Sequence, residues 1–169
     1  MKRFKILVLM FGLFLTSCQS NTELRRVSVN NKFSVEIPSN FMSLPKLPHV
    51  SFQHGNMVHE IFIQIVDNYK YDDTYEEIGS KAFAKYMIED FEQQIIVEQK
   101  SEISETDING MKAYVIEING TMNNSKAFVI LAFIEGSNDF YSLMAWSSAR
   151  RQFQNRDTMK DIIFSFREE

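Results

Sequence analysis

The histidines of this 169-residue chain are the side chains best suited to hold a metal ion, and all three lie between positions 49 and 59. His49, His54 and His59 follow one another at steps of five residues. Five residues on a helix rotate a side chain by about 140°, and odd spacing on a strand places neighbours on opposite faces. Only a hairpin turn would bring two of them together. His54 and His59 are therefore weak metal candidates, and we expect exposed histidines beside a turn.

Carboxylates form one local cluster, Asp72-Asp73 followed by Glu76-Glu77. The cluster lacks the alternating oxygen ligands of an EF-hand loop, and acids in the first turn of a helix are favoured by its dipole. The chain has no Gly-x-Ser-x-Gly elbow, no P-loop and no Gly-x-Gly-x-x-Gly motif. The sequence therefore predicts no catalytic residue, no cofactor and no metal site.

Aromatic and basic side chains are the remaining candidates for function, as an interaction surface. They are Tyr69, Tyr71, Trp146, Arg150, Arg151 and Arg156. For the aromatic residues the competing interpretation is packing in or around the core. For the arginines it is a solvated helix face, although the cluster could contact anionic lipid headgroups or an acidic partner.

The first seventeen residues differ from the rest of the chain. Lys2, Arg3 and Lys5 are followed by ten uncharged residues, 6–15. Because a membrane-spanning helix needs about 20 apolar residues, this run is too short to span and has the length of a signal-peptide core. Without residues 1–17 the chain has 15 basic and 22 acidic side chains, a net charge of −7. Such a balance argues against binding to nucleic acid, which requires a basic surface.

Leu15-Thr16-Ser17-Cys18 resembles the lipobox of bacterial lipoproteins. The resemblance implies that residues 1–17 are cleaved as a signal peptide and that Cys18, the single cysteine, receives a diacylglycerol and a fatty acyl chain such as palmitate. Residues 18–24 would then be the lipidated cysteine and a short polar tether, and 25–169 one domain in the cell envelope. Gln19 in place of Asp favours the outer over the inner membrane. The alternatives are a plain secretory signal with an incidental cysteine and a cytosolic protein with a buried N-terminal helix.

The first half of the domain reads as strands separated by turns. Phe33–Ile37 alternates apolar and polar residues and ends at a proline, which predicts a strand. The proline-rich segment 38–48 predicts a loop. His54-Gly55-Asn56 predicts a tight turn of a hairpin whose second strand is Glu60–Val66.

A helix is predicted over about 74–94, because Thr74 and Glu77 fit a capping box and apolar residues follow at helical spacing. A strand over 95–105 should turn at Asn109-Gly110 into a second strand, 112–118. After a turn at 119–125, the almost continuously apolar segment 126–135 predicts a central strand covered on both faces.

The chain should close with a strand over 140–146 and a helix over about 149–165. That helix is expected to bury the apolar residues Phe153, Met159, Ile162, Ile163 and Phe166. The pattern predicts an α+β protein with an antiparallel β-sheet and helices packed on both faces.

Two stretches carry a resemblance to a known fold family. Phe33–Phe41 is similar to the opening of the PsbP-like fold, and Phe140–Trp146 with Ile162–Phe166 is similar to its close. The resemblance implies an α/β/α sandwich. Its members mainly bind other macromolecules, and none of the matching residues is a functional one, so no site residue carries over.

Together these patterns predict a membrane-anchored envelope lipoprotein that acts without catalysis, as a binding or accessory module for a protein or another envelope component. The alternative is a carrier of a lipid or small apolar ligand in a pocket between sheet and helix. An envelope enzyme is the least favoured interpretation, because it requires converging polar groups in a cleft.

Overall fold

A computed structural model describes residues 23–70 and 78–169, which fold into two antiparallel sheets and two helices. The strands are β1 Leu24–Val29, β2 Phe33–Pro38, β3 Met42–Ser43, β4 Phe52–Asn56, β5 Ile61–Tyr69, β6 Ile96–Lys100, β7 Ser104–Ile108, β8 Met111–Met122, β9 Ser125–Glu135, β10 Asp139–Ser148 and β11 Arg167–Glu168. The helices are α1 Ser80–Glu92 and α2 Gln152–Phe164. Neither of these helices is long and apolar enough to cross a bilayer.

The large sheet has the strand order β3-β4-β5-β10-β9-β8-β6, and β7 pairs with the same edge of β8 as β6. The small sheet has the order β1-β2-β11. Each pairing is antiparallel. One face of the large sheet carries α1, and the other carries α2 with the small sheet. The predicted α+β class, with helices on both faces of an antiparallel sheet, is confirmed.

Strand β9 is the centre of the molecule, as its apolar sequence predicts. Phe128, Ile130 and Ala132 point into the core beneath α2, and Val129 and Leu131 point into the core beneath α1. All five are buried. Because successive side chains of a strand point to opposite faces, only a strand covered on both sides can be apolar throughout.

Asparagines form the turns from β7 to β8 and from β8 to β9, but one predicted turn is misplaced. Asn109 (φ 52°) and Gly110 (φ 87°) connect β7 to β8, as predicted. The predicted turn over 119–125 is wrong, since β8 continues to Met122 and only Asn123 (φ 50°) and Asn124 (φ 62°) turn. Gly120 belongs to the strand because the main chain of Ile96 approaches it too closely for a side chain.

Two further boundaries differ from those predicted. His54-Gly55-Asn56 does not turn: it forms the end of β4, and the turn is 57–60, where the Asn56 side chain accepts hydrogen bonds from the amides of Val58 and His59. The segment 95–105 is not one strand. It divides into β6 and β7, which pair with different halves of β8.

Helix α1 begins at Ser80, later than predicted, because Gly79 is extended and Ile78 is not helical. The predicted capping residues Thr74 and Glu77 lie outside the described residues. Phe83 fixes the helix on the sheet by stacking on Phe140, with 4.5 Å between ring centroids.

Helix α2 follows a 3-10 turn, Ala149–Arg151, and Phe153 in its first turn faces away from the core. Phe153, predicted to be buried, is 96% exposed. The inward position of this turn belongs to Asn155, whose amide donates to the His59 carbonyl and the Ser147 hydroxyl. Two residues rotate a helix by about 200°, so Phe153 points outward. Met159, Ile162, Ile163 and Phe166 are buried as predicted.

Candidate functional site

The sheet face beneath α1 is only half covered. The helix packs on β8 and β9, where Ile116 and Leu131 are buried. Across the same row of the sheet, Leu131 pairs with Met144 on β10, and Met144 pairs with Gln64 on β5. Met144 and Gln64 are only partly buried. Beyond Phe140, which Phe83 of α1 covers, strands β5 and β10 therefore present one buried face and one open face.

A cleft of about 620 Å³ occupies the open part of this face, between α1 and the loop that precedes β4. Met87, Asp90 and Phe91 of α1 form one wall with Gln94, which follows the helix, Leu47 and His49 form the other, and β5, β9 and β10 form the floor. The volume lies within the range of about 300–1,000 Å³ that is typical of small-molecule sites.

The cleft is predominantly apolar and adaptable. Its lining includes the methionines Met87, Met122 and Met144, together with Val66 and Phe91. Methionine side chains are flexible and polarisable, and they recur at surfaces that accept varied apolar ligands. The arrangement suits a ligand with an apolar body.

A few amide and hydroxyl groups stand among these apolar residues. Asn68 donates to the Phe140 carbonyl at 3.4 Å and to the Ser142 hydroxyl at 3.3 Å, both long distances. The Gln64 side chain has no hydrogen-bond partner within the part of the chain that the structure describes. Gln64 is therefore free to hydrogen-bond a polar group on a bound molecule.

Carboxyl groups with shifted pKa values lie outside the cleft, and ion pairs account for them. Burial opposes ionisation of Asp67, but hydrogen bonds from Lys32 and Ser51 outweigh it and lower its pKa. Arg150 and Ser148 lower the pKa of Glu60 in the same way. These groups belong to structural ion pairs and do not form an acid–base pair at the cleft.

The predicted metal candidates do not converge. His54 lies on β4 with its ring stacked on Phe52, and burial, aided by Arg25 and Lys46, lowers its pKa. His59 lies in the turn after β4. Within residues 23–70 and 78–169, no group of three or more His, Cys, Asp or Glu side chains could hold a metal ion.

The basic candidates are paired with acids. Arg150 and Arg151 both form ion pairs with Glu60, and Arg156 contacts Glu117 at 2.8 Å. These pairs connect the turn 57–60 and strand β8 to the start of α2, so the arginines have a structural role.

The aromatic candidates separate. Tyr69 ends β5 and is exposed, and Trp146 is partly buried on the open face of β10, where it stacks on Phe62. Tyr71, the lipidation candidate Cys18, and the acidic cluster Asp72-Asp73 with Glu76-Glu77 lie outside the described residues.

The cleft itself was not identified from the sequence. Met87 and Phe91 belong to the predicted buried stripe of α1, yet they are partly exposed and line the cleft. The sequence feature that could have indicated the cleft is in β5, where Phe62, Gln64 and Val66 alternate with buried isoleucines. Mixed apolar and amide residues on one face indicate a surface that the protein covers only in part.

Comparison with known proteins identifies the fold. The sequence matches no protein-family model and no curated protein sequence. The structure is similar to cyanobacterial PsbP (CyanoP) from Synechocystis sp. PCC 6803, with a TM-score of 0.63 and 12% identity over 92% of this chain and 99% of that chain. The fold is PsbP-like.

A second neighbour has the same architecture. LpqN of Mycobacterium tuberculosis, described as involved in cell envelope biogenesis, aligns with a TM-score of 0.60 and 10% identity over 86% of this chain and 90% of that chain. The PsbP-like fold therefore occurs in proteins of different biological settings, and the fold alone does not fix the function.

Proposed function

We propose that this protein is a non-catalytic binding module of the bacterial cell envelope, and that its cleft holds the apolar part of an envelope component, such as an acyl chain. The observation that carries the proposal is the methionine-lined cleft of about 620 Å³ between α1 and the sheet. The proposal combines the predicted envelope module with the predicted carrier of a lipid or apolar ligand.

The chemistry of the cleft favours binding over catalysis. Its apolar lining contributes affinity by removing ligand surface from water, at about 25 cal/mol per Å² of apolar area. Gln64 and Asn68 supply hydrogen bonds to a polar group. His49 and Asp90, the ionisable groups of the lining, lie on opposite walls and form no hydrogen bond or ion pair with each other, so the described residues of the cleft provide no coupled acid and base. An acyl chain joined to an amide, ester or hydroxyl group has this combination of apolar body and polar head.

The location in the envelope rests on the lipobox-like Leu15-Thr16-Ser17-Cys18. Two or three acyl chains on Cys18 would anchor the domain stably, because each buried CH₂ contributes about 0.8 kcal/mol. We propose the outer membrane as its location, because Gln19 rather than Asp follows Cys18. A structural neighbour described as involved in cell envelope biogenesis supports an envelope role.

The proposal is tested by isolating the full-length protein from its native membrane in a detergent-free polymer disc and identifying the molecules released from it. The matched pair is Met144→Glu, which places a charge on the cleft floor, and Ile96→Ser, which alters an exposed residue outside the cleft. We expect an acyl-containing molecule enriched over the bulk lipid of the disc with the natural protein and with Ile96→Ser, and loss of this enrichment with Met144→Glu.

Two other outcomes would contradict the proposal. Equal recovery of lipid from all three proteins would mean that the lipid comes from the disc and not from the cleft. A co-purifying protein whose recovery falls with Met144→Glu would assign the cleft to a protein partner instead.

A further inference from the structure

Exposed apolar side chains gather at one end of the domain. Among the described residues, large apolar side chains exposed at this end are Leu24, Met42, Met57, Val58 and Phe153. Phe153 is 96%, Val58 77% and Met57 63% exposed. Single exposed apolar residues are ordinary, but a group at one end requires an explanation. We call these five residues the apolar end.

A chain of hydrogen bonds locates the apolar end beside the start of the described chain. The Ser39 amide donates to the Glu23 carbonyl at 2.7 Å, and the Asn56 side chain donates to the Asn40 carbonyl at 3.3 Å. Asn56 begins the turn that carries Met57 and Val58, and the carbonyl of His59 in this turn accepts from Asn155. The turn, the start of α2 and Glu23 therefore share one end of the molecule.

The length of chain between this end and the proposed anchor is short. Cys18 precedes Glu23 by five residues, which span at most about 17 Å when fully extended. A lipid on Cys18 would hold Glu23, and with it the apolar end, within that distance of the bilayer surface.

The charge at the apolar end differs from that of the whole domain. Basic and acidic groups near it are equal in number, with Arg25, Arg150 and Arg151 balanced by Glu23, Glu60 and Asp157. The chain without residues 1–17 has a net charge of −7. An end of the domain without net negative charge can approach anionic lipid headgroups, which repel the acidic remainder of the domain.

We infer that the apolar end is a membrane-contact surface, which inserts Phe153, Met57 and Val58 among the headgroups of an anionic bilayer and fixes the orientation of the domain. The inference rests on the proposed lipid anchor at Cys18. Apolar side chains flanked by basic residues enter the headgroup region to about 5–10 Å. In this orientation Phe153 lies at the membrane, and Phe164, eleven residues later on the same helix, is separated from it by about 16 Å along the helix axis.

The test uses the full-length lipidated protein in vesicles of phosphatidylglycerol and brominated phosphatidylcholine, because bromine quenches tryptophan fluorescence at short range. In a Trp146→Phe background, Phe153→Trp reports on the apolar end and Phe164→Trp on the far end of α2. We expect brominated lipid to lower the emission of Phe153→Trp about twofold and to leave Phe164→Trp unchanged.

The outcomes separate this inference from the proposed function. Mass spectrometry of the N-terminal peptide first establishes whether Cys18 carries diacylglycerol, and its absence would overturn both. If the lipid is present, equal quenching of the two tryptophans, or quenching of neither, would overturn the membrane-contact surface alone. A third outcome would also overturn the inference. If the tryptophan of Phe153→Trp is unquenched in vesicles but is shielded in native membranes by a co-purifying protein, the surface binds a protein partner.

Discussion

The rings of Phe62 and Trp146 stack on neighbouring strands with 5.3 Å between their centroids and 21° between their planes. Both are partly buried, on the part of the sheet face that α1 leaves open. The stack therefore continues the apolar surface of this face beyond Met144 and Gln64 on the cleft floor, toward the end of the sheet, where Phe62 and Trp146 line a separate depression. A sheet face left this open and apolar is suited to binding a ligand that covers it.

Two phenylalanines should respond to truncation in opposite ways. Phe83→Ala removes a fully buried ring stacked on Phe140, and should lower the free energy of unfolding by about 3–5 kcal/mol. Phe153→Ala alters a side chain that is 96% exposed, and should change the free energy of unfolding by less than about 0.5 kcal/mol. Urea unfolding of both variants checks this, and a large loss with Phe153→Ala would contradict the outward orientation of α2's first turn.

Phe153 shows where prediction from a sequence pattern ends. Local residue spacing is sufficient to predict that the strands and helices exist, that Asn109-Gly110 turns and that β9 is buried on both faces. Phe153 was misassigned because apolar character predicts burial only on average. The inward position belongs instead to Asn155, and its partners His59 and Ser147 are distant in sequence.

Two glycines should differ in their tolerance of alanine. A Cβ at Gly120 would lie 2.5 Å from the Ile96 carbonyl oxygen and 2.8 Å from the Ile95 side chain, so Gly120→Ala should cost about 1–3 kcal/mol through displacement of β6. A Cβ at Gly79 would meet nothing within 4 Å. Gly79→Ala is therefore the matched control, and its midpoint of thermal unfolding should stay near that of the natural protein. Equal effects of the two substitutions would contradict the close approach of β6 to β8.

Glu117 should contribute stability that depends on pH. Burial opposes its ionisation, but hydrogen bonds from Arg156 and Lys160 outweigh this and hold its pKa below the ordinary value. A carboxylate with a lowered pKa stabilises the folded state above its unfolded pKa, about 4.3, and loses that contribution as the pH falls through the folded pKa. Glu117→Gln should cost about 1 kcal/mol at neutral pH, and the difference from the natural protein should close in acid.

The measurement is the midpoint of thermal unfolding from neutral pH down to below the pKa of an ordinary carboxyl group. Glu102→Gln is the control, because the exposed Glu102 has no ion pair among the described residues. A constant difference between Glu117→Gln and the natural protein over this whole range would show that the ion pair does not determine the effect.

Removal of the proposed lipid attachment point should release the protein from the membrane. Cys18→Ala deletes the only thiol in the chain, so no thioether-linked lipid can form. We expect an unprocessed precursor or a soluble protein, detected by immunoblotting of membrane and soluble fractions. Cys18→Ser serves as a second variant of similar size. Unchanged processing and membrane attachment of both variants would refute the lipobox interpretation.

The residues that line the cleft could not be predicted from the sequence, for a physical reason. Helical spacing places Met87 and Phe91 on the apolar stripe of α1, but it does not determine how many strands the helix covers. That extent depends on the positions of β8 and β9 relative to β5 and β10, which local periodicity does not encode. The sequence therefore predicted a pocket between sheet and helix as one alternative, without its residues.

Apolar-ligand binding by the cleft is the central claim, and titration with the fluorescent apolar probe N-phenyl-1-naphthylamine tests it most directly. We expect saturable binding of one probe per molecule to the natural protein and to Ile96→Ser. Met144→Glu should weaken binding about tenfold or more, because a charge on the cleft floor would lose water when the probe binds. Circular dichroism should show that all three proteins are folded. Probe binding that is absent from the natural protein, or unaffected by Met144→Glu, would contradict the account.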